Sequence, residues 1–322
     1  MSNLEEIAKL SGFSKATVSR VLNKSRHVSP ETREKVLRVI REMDYVPNRN
    51  AVSLSKGKTL QIGMITADIS EIILPFMTSF VEAAAEHGFQ TIIYTSNLDK
   101  QRELQAFEDL KQKRVDGLLI ITSVNDLSVI SAYGKYGPIV SWQRMERPDI
   151  PSVAMDQYDG YALAVQHLLS CGVTRIANAF GRPESLNTQR RIQAYEDLMA
   201  AHGLEVRRDW YFKSAYHLTD GQNVVHRMLG LGEEPQAIIC ANDYVAAGVL
   251  SEARRLGWDV PNELRIVSFD NMQIASTLGL TSVQNPIRNQ AYNAFALLSP
   301  GLLKQPLPLK PLEFGLVVRE TT

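Results

Sequence analysis

Short runs rich in β-branched residues alternate with amphipathic stretches of helical length from about Lys58 to the end of the chain. This alternation predicts parallel sheets that carry helices on both faces. The rhythm is similar before and after about Asp156, which predicts two lobes of like architecture. The predicted strands are 61–66, 90–96, 117–122, 139–142, 175–181, 210–213, 237–240 and 265–270, and the predicted helices are 75–87, 101–114, 161–170, 189–202, 244–256 and 287–298.

The composition is that of an ordinary folded protein. Of the 322 residues 44% are hydrophobic and 22% are charged, which excludes a mainly disordered chain. The apolar runs are shorter than the roughly 18 residues of a membrane-spanning helix, and the N-terminus lacks a signal-peptide pattern. We therefore expect a cytoplasmic protein with no membrane partner. Cys171 and Cys240 are far apart in sequence, which favours neither a disulfide framework nor a zinc site.

Charge is distributed unevenly along the chain. Residues 1–58 contain 12 Lys/Arg against 6 Asp/Glu, a formal charge of +6, while the remainder contains 23 against 29, a charge of −6. The neutral total therefore hides a basic segment followed by an acidic body. Such an asymmetry indicates that the basic segment alone meets a polyanion.

The first 46 residues carry three short amphipathic helical patterns. Gly12 marks a turn after the first, Ser14 can cap the second, and Ser29 followed by Pro30 begins the third. Two short helices joined by a turn and supported by a third predict a helix-turn-helix, although spacing alone also fits a small bundle with a solvated basic face. The predicted apolar faces are Leu4, Ile7 and Ala8, then Val18, Val21 and Leu22, then Val36, Val39, Ile40 and Met43.

The outward face of the second helix carries residues suited to reading DNA. In a helix-turn-helix the N-terminal part of that helix enters the major groove. Arg20 can donate in a fork to guanine, while Lys15 and Ala16 lie at the leading end, near base edges or thymine methyl groups. Contacts to the DNA backbone are predicted for Ser14, Thr17, Ser19, Asn23, His27, Ser29, Thr32 and Tyr45.

Residues 7–23, Val28-Ser29, Thr32-Arg33, Val36 and 45–48 together resemble the DNA-binding head of the lactose-repressor (LacI/GalR) family of bacterial regulators. The resemblance implies a helix-turn-helix domain over 1–46 and a hinge over 47–58. In that family the hinge folds on operator DNA, its small residue approaches the minor groove, and its Leu wedges between base pairs. Ala51 and Leu54 occupy those positions, although the segment could also be a plain linker.

Polar and aromatic residues follow the predicted strands of the body. Ligands of open α/β sheets bind at the carboxyl ends of the strands, which favours a pocket for a small hydroxylated molecule. Helix capping explains Ser, Asn and Asp at such positions equally well. The residues concerned are Asp68, Ser96, Gln143, Tyr216, Asn242, Asp243, Asp270 and Asn285.

The resemblance continues through the body in motifs such as 114–117, 240–243, 267–270 and 280–283. It implies a two-lobed α/β regulatory domain over 59–322, similar to type I periplasmic sugar-binding proteins. Lobe 1 would comprise about 59–156 and 286–312, and lobe 2 about 157–285 and 313–322. Family ligand positions carry over at Arg191, Asn242 and Asp270, and Tyr216 falls where an aromatic ring stacks on the ligand.

Two cleft positions depart from the family pattern. Gln143 replaces an Asp that many members carry, and Asn285 replaces the Gln that usually precedes Pro286. The loss of the carboxylate at position 143 suits a neutral polyol. Both residues are retained in the predicted effector site.

The sequence lacks a recognisable catalytic pattern. It contains no phosphate-binding loop of the Gly-x4-Gly-Lys-Ser type and no Gly-x-Ser-x-Gly elbow, and His217 and His226 are too far apart for a paired metal site. We therefore expect no catalytic residue, metal or cofactor.

These features predict a homodimeric repressor that binds a pseudo-palindromic double-stranded operator. A small effector, expected to be a carbohydrate, would bind between the lobes and control operator affinity allosterically. The alternative is a cytoplasmic sugar-binding protein or sugar-modifying enzyme with an incidental helical head.

Overall fold

The predicted N-terminal helices are present: α1 spans Leu4–Ser11, α2 Lys15–Leu22 and α3 Pro30–Glu42. Their apolar faces meet in one small core, in which Ile7, Val18 and Val36 are fully buried. The computed structural model describes residues 4–23, 25–46, 57–145 and 147–322. The chain divides into two compact units between Thr59 and Leu60.

The second unit contains a four-stranded parallel sheet with the order β2-β1-β3-β4. We call this sheet and the helices packed on it the first lobe. Its strands are built from β-branched and leucine-rich runs that are buried on both faces at β1 and β3, as expected for a covered parallel sheet. The elements are β1 Gln61–Thr66, α4 Leu74–Glu86, β2 Gln90–Thr95, α5 Lys100–Lys111, β3 Gly117–Ile120, α6 Leu127–Tyr133 and β4 Ile139–Ser141.

A six-stranded sheet with the order β10-β9-β8-β7-β5-β6 forms the second lobe, and only its edge strand β10 runs antiparallel to its neighbour. The chain then returns to the first lobe, where helix α12 packs Phe295 against Phe80 and Phe89. The elements are α7 Gln157–Ser170, β5 Ile176–Ala179, α8 Leu186–Ala201, β6 Tyr211–Phe212, α9 Leu218–Met228, β7 Ala237–Cys240, α10 Asp243–Arg255, β8 Arg265–Phe269, α11 Gln273–Thr277, β9 Thr281–Gln284, α12 Ile287–Leu302 and β10 Gly315–Val317.

Every predicted strand and helix of the body is present, with ends that shift by a few residues. Helix α7 begins at Gln157 rather than at 161 because the Asp156 side chain accepts a hydrogen bond from the Tyr158 amide and caps the helix. The sequence analysis missed α6, α9, α11, β9 and β10. Strand β9 is a short run, Thr281–Gln284, that gains its strand character from pairing with β8 and β10. Within the described ranges, no helix is long and apolar enough to cross a membrane.

Candidate functional site

Helix α2 is fixed by capping at its N-terminus and by burial of one face. The Ser14 hydroxyl accepts a hydrogen bond from the Thr17 amide at 3.2 Å, and Val18 and Val21 are buried. Lys15, Ala16 and Arg20 consequently lie on the exposed face. The three predicted base-reading residues thus share one accessible surface of the helix.

Lys15 already has a partner on that surface, because its ammonium group donates to the Glu5 carboxylate of α1. This hydrogen bond lowers the pKa of Glu5. Both side chains are more than half exposed, so solvent screens the pair and DNA phosphates or bases can compete for Lys15. Arg20 is also exposed.

The predicted DNA-backbone residues divide into two groups. Several hydroxyls act inside the head: Ser14 and Ser29 cap α2 and α3, and their side chains also hydrogen-bond Thr17 and Thr32. The Ser19 hydroxyl accepts a hydrogen bond from Asn23 Nδ2 at 3.4 Å. The remaining two predicted contacts are His27, which is exposed, and Tyr45, which packs on the core of the head. The hinge positions Ala51 and Leu54 lie outside the described residues.

The body contains a cavity of about 830 Å³ at the carboxyl ends of the parallel strands. Its walls come from loops after β1, β3 and β4, from the N-terminal end of α8, and from the segments after β6, β7, β8 and β9. All six predicted effector-binding residues line it: Gln143, Arg191, Tyr216, Asn242, Asp270 and Asn285. The arrangement follows from topology, because parallel strands of each sheet end at the same edge.

Arg191 on α8 is held rigidly at the cavity wall. Its guanidinium donates to the Ala241 carbonyl at 2.7 Å and to the Gln157 side-chain oxygen at 2.7 and 3.2 Å. The guanidinium carbon lies 3.8 Å from the centre of the Phe269 ring. Burial lowers the pKa of Arg191, and the Asp270 carboxylate partly offsets this. A planar fork fixed in this way can donate to sugar hydroxyls without losing further conformational freedom.

Asp270 follows β8 with a backbone φ of 95°, a region that L-residues rarely adopt. Burial raises the pKa of this carboxyl group, while Arg191 and a hydrogen bond from Asn285 lower it. The strained backbone aims a partly buried carboxylate at the cavity. Such a group can accept hydrogen bonds from two neighbouring hydroxyls.

A chain of four side chains orients the amide beside Asp270. The Trp142 indole N–H donates to Gln290 Oε1 at 2.7 Å, Gln290 Nε2 donates to Asn285 Oδ1 at 3.0 Å, and Asn285 Nδ2 donates to Asp270 Oδ1 at 3.0 Å. Because an indole can only donate, it fixes which end of each amide faces which neighbour.

Asn242 has a structural role that its sequence position also predicted. It caps α10 by accepting from the Val245 amide at 2.9 Å, and its Nδ2 donates to the Tyr216 carbonyl at 3.0 Å. One amide N–H is left for a ligand. The capping and ligand interpretations of this residue are therefore compatible.

The remaining predicted residues that follow strands lie either on the cavity wall or in the protein interior. Asp68 lines the cavity, whereas Ser96 and Asp243 are buried elsewhere. Asp243 accepts hydrogen bonds from the Ser282 hydroxyl at 2.8 Å and the Met272 amide at 2.6 Å. Burial raises its pKa to about 7. This carboxyl group braces the loop that carries Asp270.

Among the cavity residues that sequence reasoning missed are Trp142, Gln157, Thr188 and Gln290. Trp142 stands at the end of a predicted strand, so its position was a usable signal. The other three lie on helices, where the direction of a side chain depends on how the helix packs.

The family models cover most of the chain. Residues 3–48 match the model described as bacterial regulatory proteins, lacI family, and residues 59–301 match periplasmic binding proteins and the sugar-binding domain of the LacI family. The chain belongs to the LacI family. This confirms both the predicted family and the predicted fold, a helix-turn-helix head followed by a two-lobed α/β domain.

Individual relatives agree with this LacI-family assignment. The HTH-type transcriptional regulator YkvZ of Bacillus subtilis is 32% identical over all of this chain and all of its own length. The lac repressor dimer bound to operator and the anti-inducer ONPF has a TM-score of 0.85 and 26% identity, covering 99% of this chain and 98% of that one. The complex of the transcriptional regulator CelR with cellobiose has a TM-score of 0.70 and 27% identity, covering 100% of both chains.

The family also decides between the two function classes that the sequence left open. These relatives are transcription regulators, which confirms the expectation that this LacI-family chain is a DNA-binding regulator rather than an enzyme. In the parts of the chain that the structure describes, no cluster of His, Cys, Asp and Glu could hold a metal ion.

Proposed function

We propose that this LacI-family regulator represses transcription as a cytoplasmic homodimer whose operator affinity is set by a carbohydrate in the 830 Å³ cavity. The observation that carries the effector assignment is the convergence of Arg191, Asp270, Asn242 and Asn285 on one cavity. They come from four separate segments of the chain and supply both donors and acceptors. Hydroxyl groups, which donate and accept, match such a mixed set.

The head reads the operator through α2. Arg20 donates to guanine in the major groove, and Lys15 and Ala16 contact neighbouring base edges, after Lys15 releases Glu5. Two heads in a dimer read two half-sites of a pseudo-palindrome. The lac repressor, a structural neighbour of this chain, is itself a dimer on operator DNA.

The proposal also assigns a role in DNA binding to the hinge, residues 47–58. Ala51 and Leu54 are assigned to the minor groove on the family resemblance alone, and the domain limits 1–46, 47–58 and 59–322 stay predictions with them. A segment that folds only on DNA makes operator affinity sensitive to changes in the body.

The test begins with a selection of bound sequences from random DNA at physiological salt. Recovery of a pseudo-palindrome bound between about 10⁻⁸ and 10⁻¹¹ M supports the regulator. The winning sequence is then used to screen carbohydrates for release or tightening of the complex. Absence of enrichment both without effector and with the carbohydrate library present contradicts the proposal.

The effector site is tested with Asp270→Ala and a matched control, Asp126→Ala. Asp126 is an exposed aspartate at the start of α6 whose side chain makes no capping hydrogen bond. We expect Asp270→Ala to bind operator normally and to lose the carbohydrate response, while the control keeps both. A normal response in Asp270→Ala places the effector elsewhere.

A further inference from the structure

One edge of the effector cavity is built from the N-terminal end of α8, a helix of 16 residues. Its N-cap residue, Ser185, makes no side-chain capping hydrogen bond. The first amide in this turn that is used inside the helix is that of Gln189, which donates to the Ser185 carbonyl at 3.0 Å. The N–H groups of residues 186–188 precede it and are the orphan donors that every helix start presents.

Thr188 provides a second, independent observation at this edge. It is only 5% exposed and lines the cavity. Among the hydrogen bonds of the described residues, none involves its hydroxyl, which faces Gly181 on the same wall. The side chain is almost fully buried and opens only onto the cavity, so its hydroxyl is available to hydrogen-bond a molecule that the cavity receives.

Of the two charged side chains on the loop into α8, the positive one lines the cavity and the negative one does not. Arg182, on the loop that leads into α8, is exposed and lines the cavity; burial raises the pKa of Tyr216, and the Arg182 charge partly offsets this rise. The start of a helix adds a partial positive charge of its own. Gln143 contributes a neutral amide to the same cavity. Glu184, exposed on the same loop, is the opposing charge.

The acidic side chains that line the cavity do not belong to the segment at the start of α8. Asp270 is engaged by Asn285, and Asp68 lies in the loop after β1 of the first lobe. The sugar-binding donors and acceptors around Arg191 thus stand at one part of the cavity, and unpaired donors gather at the start of α8.

We propose that the start of α8 binds an oxyanion substituent of the effector, so that the effector is an anionic carbohydrate, a sugar phosphate or a sugar acid. This inference rests on the proposed function. Backbone N–H groups at a helix start, a hydroxyl and a guanidinium form the donor set that phosphate and carboxylate oxygens require. The oxyanion fills the hydrogen-bonding capacity of Thr188, while the sugar ring meets Arg191 and Asp270.

The experiment uses the full chain and matched pairs of ligands in calorimetric titrations. Each pair consists of a neutral sugar and its phosphate ester, or a neutral sugar and its uronic acid, from a panel of hexoses and disaccharides. We expect at least one charged member to bind tenfold or more tightly than its neutral parent. Whether the ester or the acid gains distinguishes the two sources of the oxyanion.

Three variants locate that preference. Thr188→Val keeps the shape of the side chain and removes the hydroxyl, and Arg182→Gln removes an exposed charge, so neither should unfold the protein. Each is expected to reduce the charged-over-neutral ratio at least fivefold. Arg254→Gln, an exposed arginine on α10 away from the cavity, is expected to leave the ratio unchanged.

The outcomes separate this inference from the proposed function. Neutral sugars that bind as tightly as their charged partners, or a charged preference that survives both Thr188→Val and Arg182→Gln, overturn the oxyanion site and leave a carbohydrate regulator in place. If neither form of any sugar binds while operator DNA is still recognised, the carbohydrate effector itself is wrong.

Discussion

Trp142→Phe tests whether the indole N–H organises the effector cavity. The substitution keeps an aromatic ring to stack on Phe76, whose ring centre lies 4.3 Å from that of Trp142. It removes the donor to Gln290, a residue only 2% exposed, and so leaves Gln290 Oε1 without its partner. Leaving a buried acceptor unpaired costs about 1–3 kcal/mol of unfolding free energy. For a domain of this size that is a fall in Tm of about 2–4 °C per kcal/mol.

Trp258→Phe is the control for the loss of ring area. Trp258 is a partly buried tryptophan that packs on the second-lobe core, and no hydrogen bond of its indole is found among the described residues. Thermal unfolding of the wild type and both variants is followed by circular dichroism. We expect the Trp142 variant to lose at least about 1 kcal/mol more than the Trp258 variant. Equal losses would refute the role of the indole in fixing the amides.

Three further predictions address the head, the packing and a lobe contact. Arg20→Ala should lower the operator-over-random affinity ratio by about 1–3 kcal/mol per half-site, measured by fluorescence anisotropy, with an unchanged circular dichroism spectrum; an unchanged ratio contradicts base reading. Gly248→Ala would place Cβ 1.9 Å from the first carbonyl of α9 and should lower the unfolding free energy by about 1–3 kcal/mol or more in urea titrations. Gly232→Ala, with nothing within 4 Å of its Cβ, should be nearly neutral, and similar effects of the two would count against this packing. His217 Nδ1 and Glu71 Oε1 are 2.9 Å apart, and this hydrogen bond raises the pKa of His217 above 6.5 and lowers the pKa of Glu71 below 4.5. The stabilisation of the fold by this pair is therefore full between pH 4.5 and pH 6.5. It is lost as pH rises through the raised pKa of His217. Glu71→Gln should remove the part of the fall in unfolding free energy above pH 6.5 that this pair causes, an amount under about 1 kcal/mol, and an unchanged fall above pH 6.5 argues against the contact.

Hydrophobic periodicity was sufficient to predict the major helices and strands, because the pattern of their buried and exposed residues follows the local order of apolar and polar residues. Strand β3 and helix α3 have strong local patterns, and the sequence predicted both. Strand β10, Gly315–Val317, is only partly buried and forms through pairing with β9, a long-range contact without a local signal. Helix α9 was not among the predicted helices, although it buries Val224, Val225 and Met228 on one face.

The candidate site shows the same division. Residues that follow strands, such as Asp270 and Asn242, could be placed from sequence because a parallel sheet gathers strand ends at one edge. Gln290 could not, because its contact with Trp142 joins residues 148 positions apart. The φ of 95° at Asp270 also had no sequence signal, since glycine is the usual residue in that region.

The hydrogen-bond chain at the cavity also connects the two lobes. Trp142 and Gln290 belong to the first lobe, while Asp270 follows a strand of the second, and Asn285 stands where the chain passes from β9 to α12. A ligand that hydrogen-bonds Asp270 shares the carboxylate with Asn285, whose Nδ2 occupies one position on Oδ1. Allosteric coupling is typically 1–3 kcal/mol, which is the magnitude of one hydrogen bond to a charged group. Loss of the Asn285 contact to Asp270 would therefore be of the magnitude that couples a ligand to the arrangement of the two lobes.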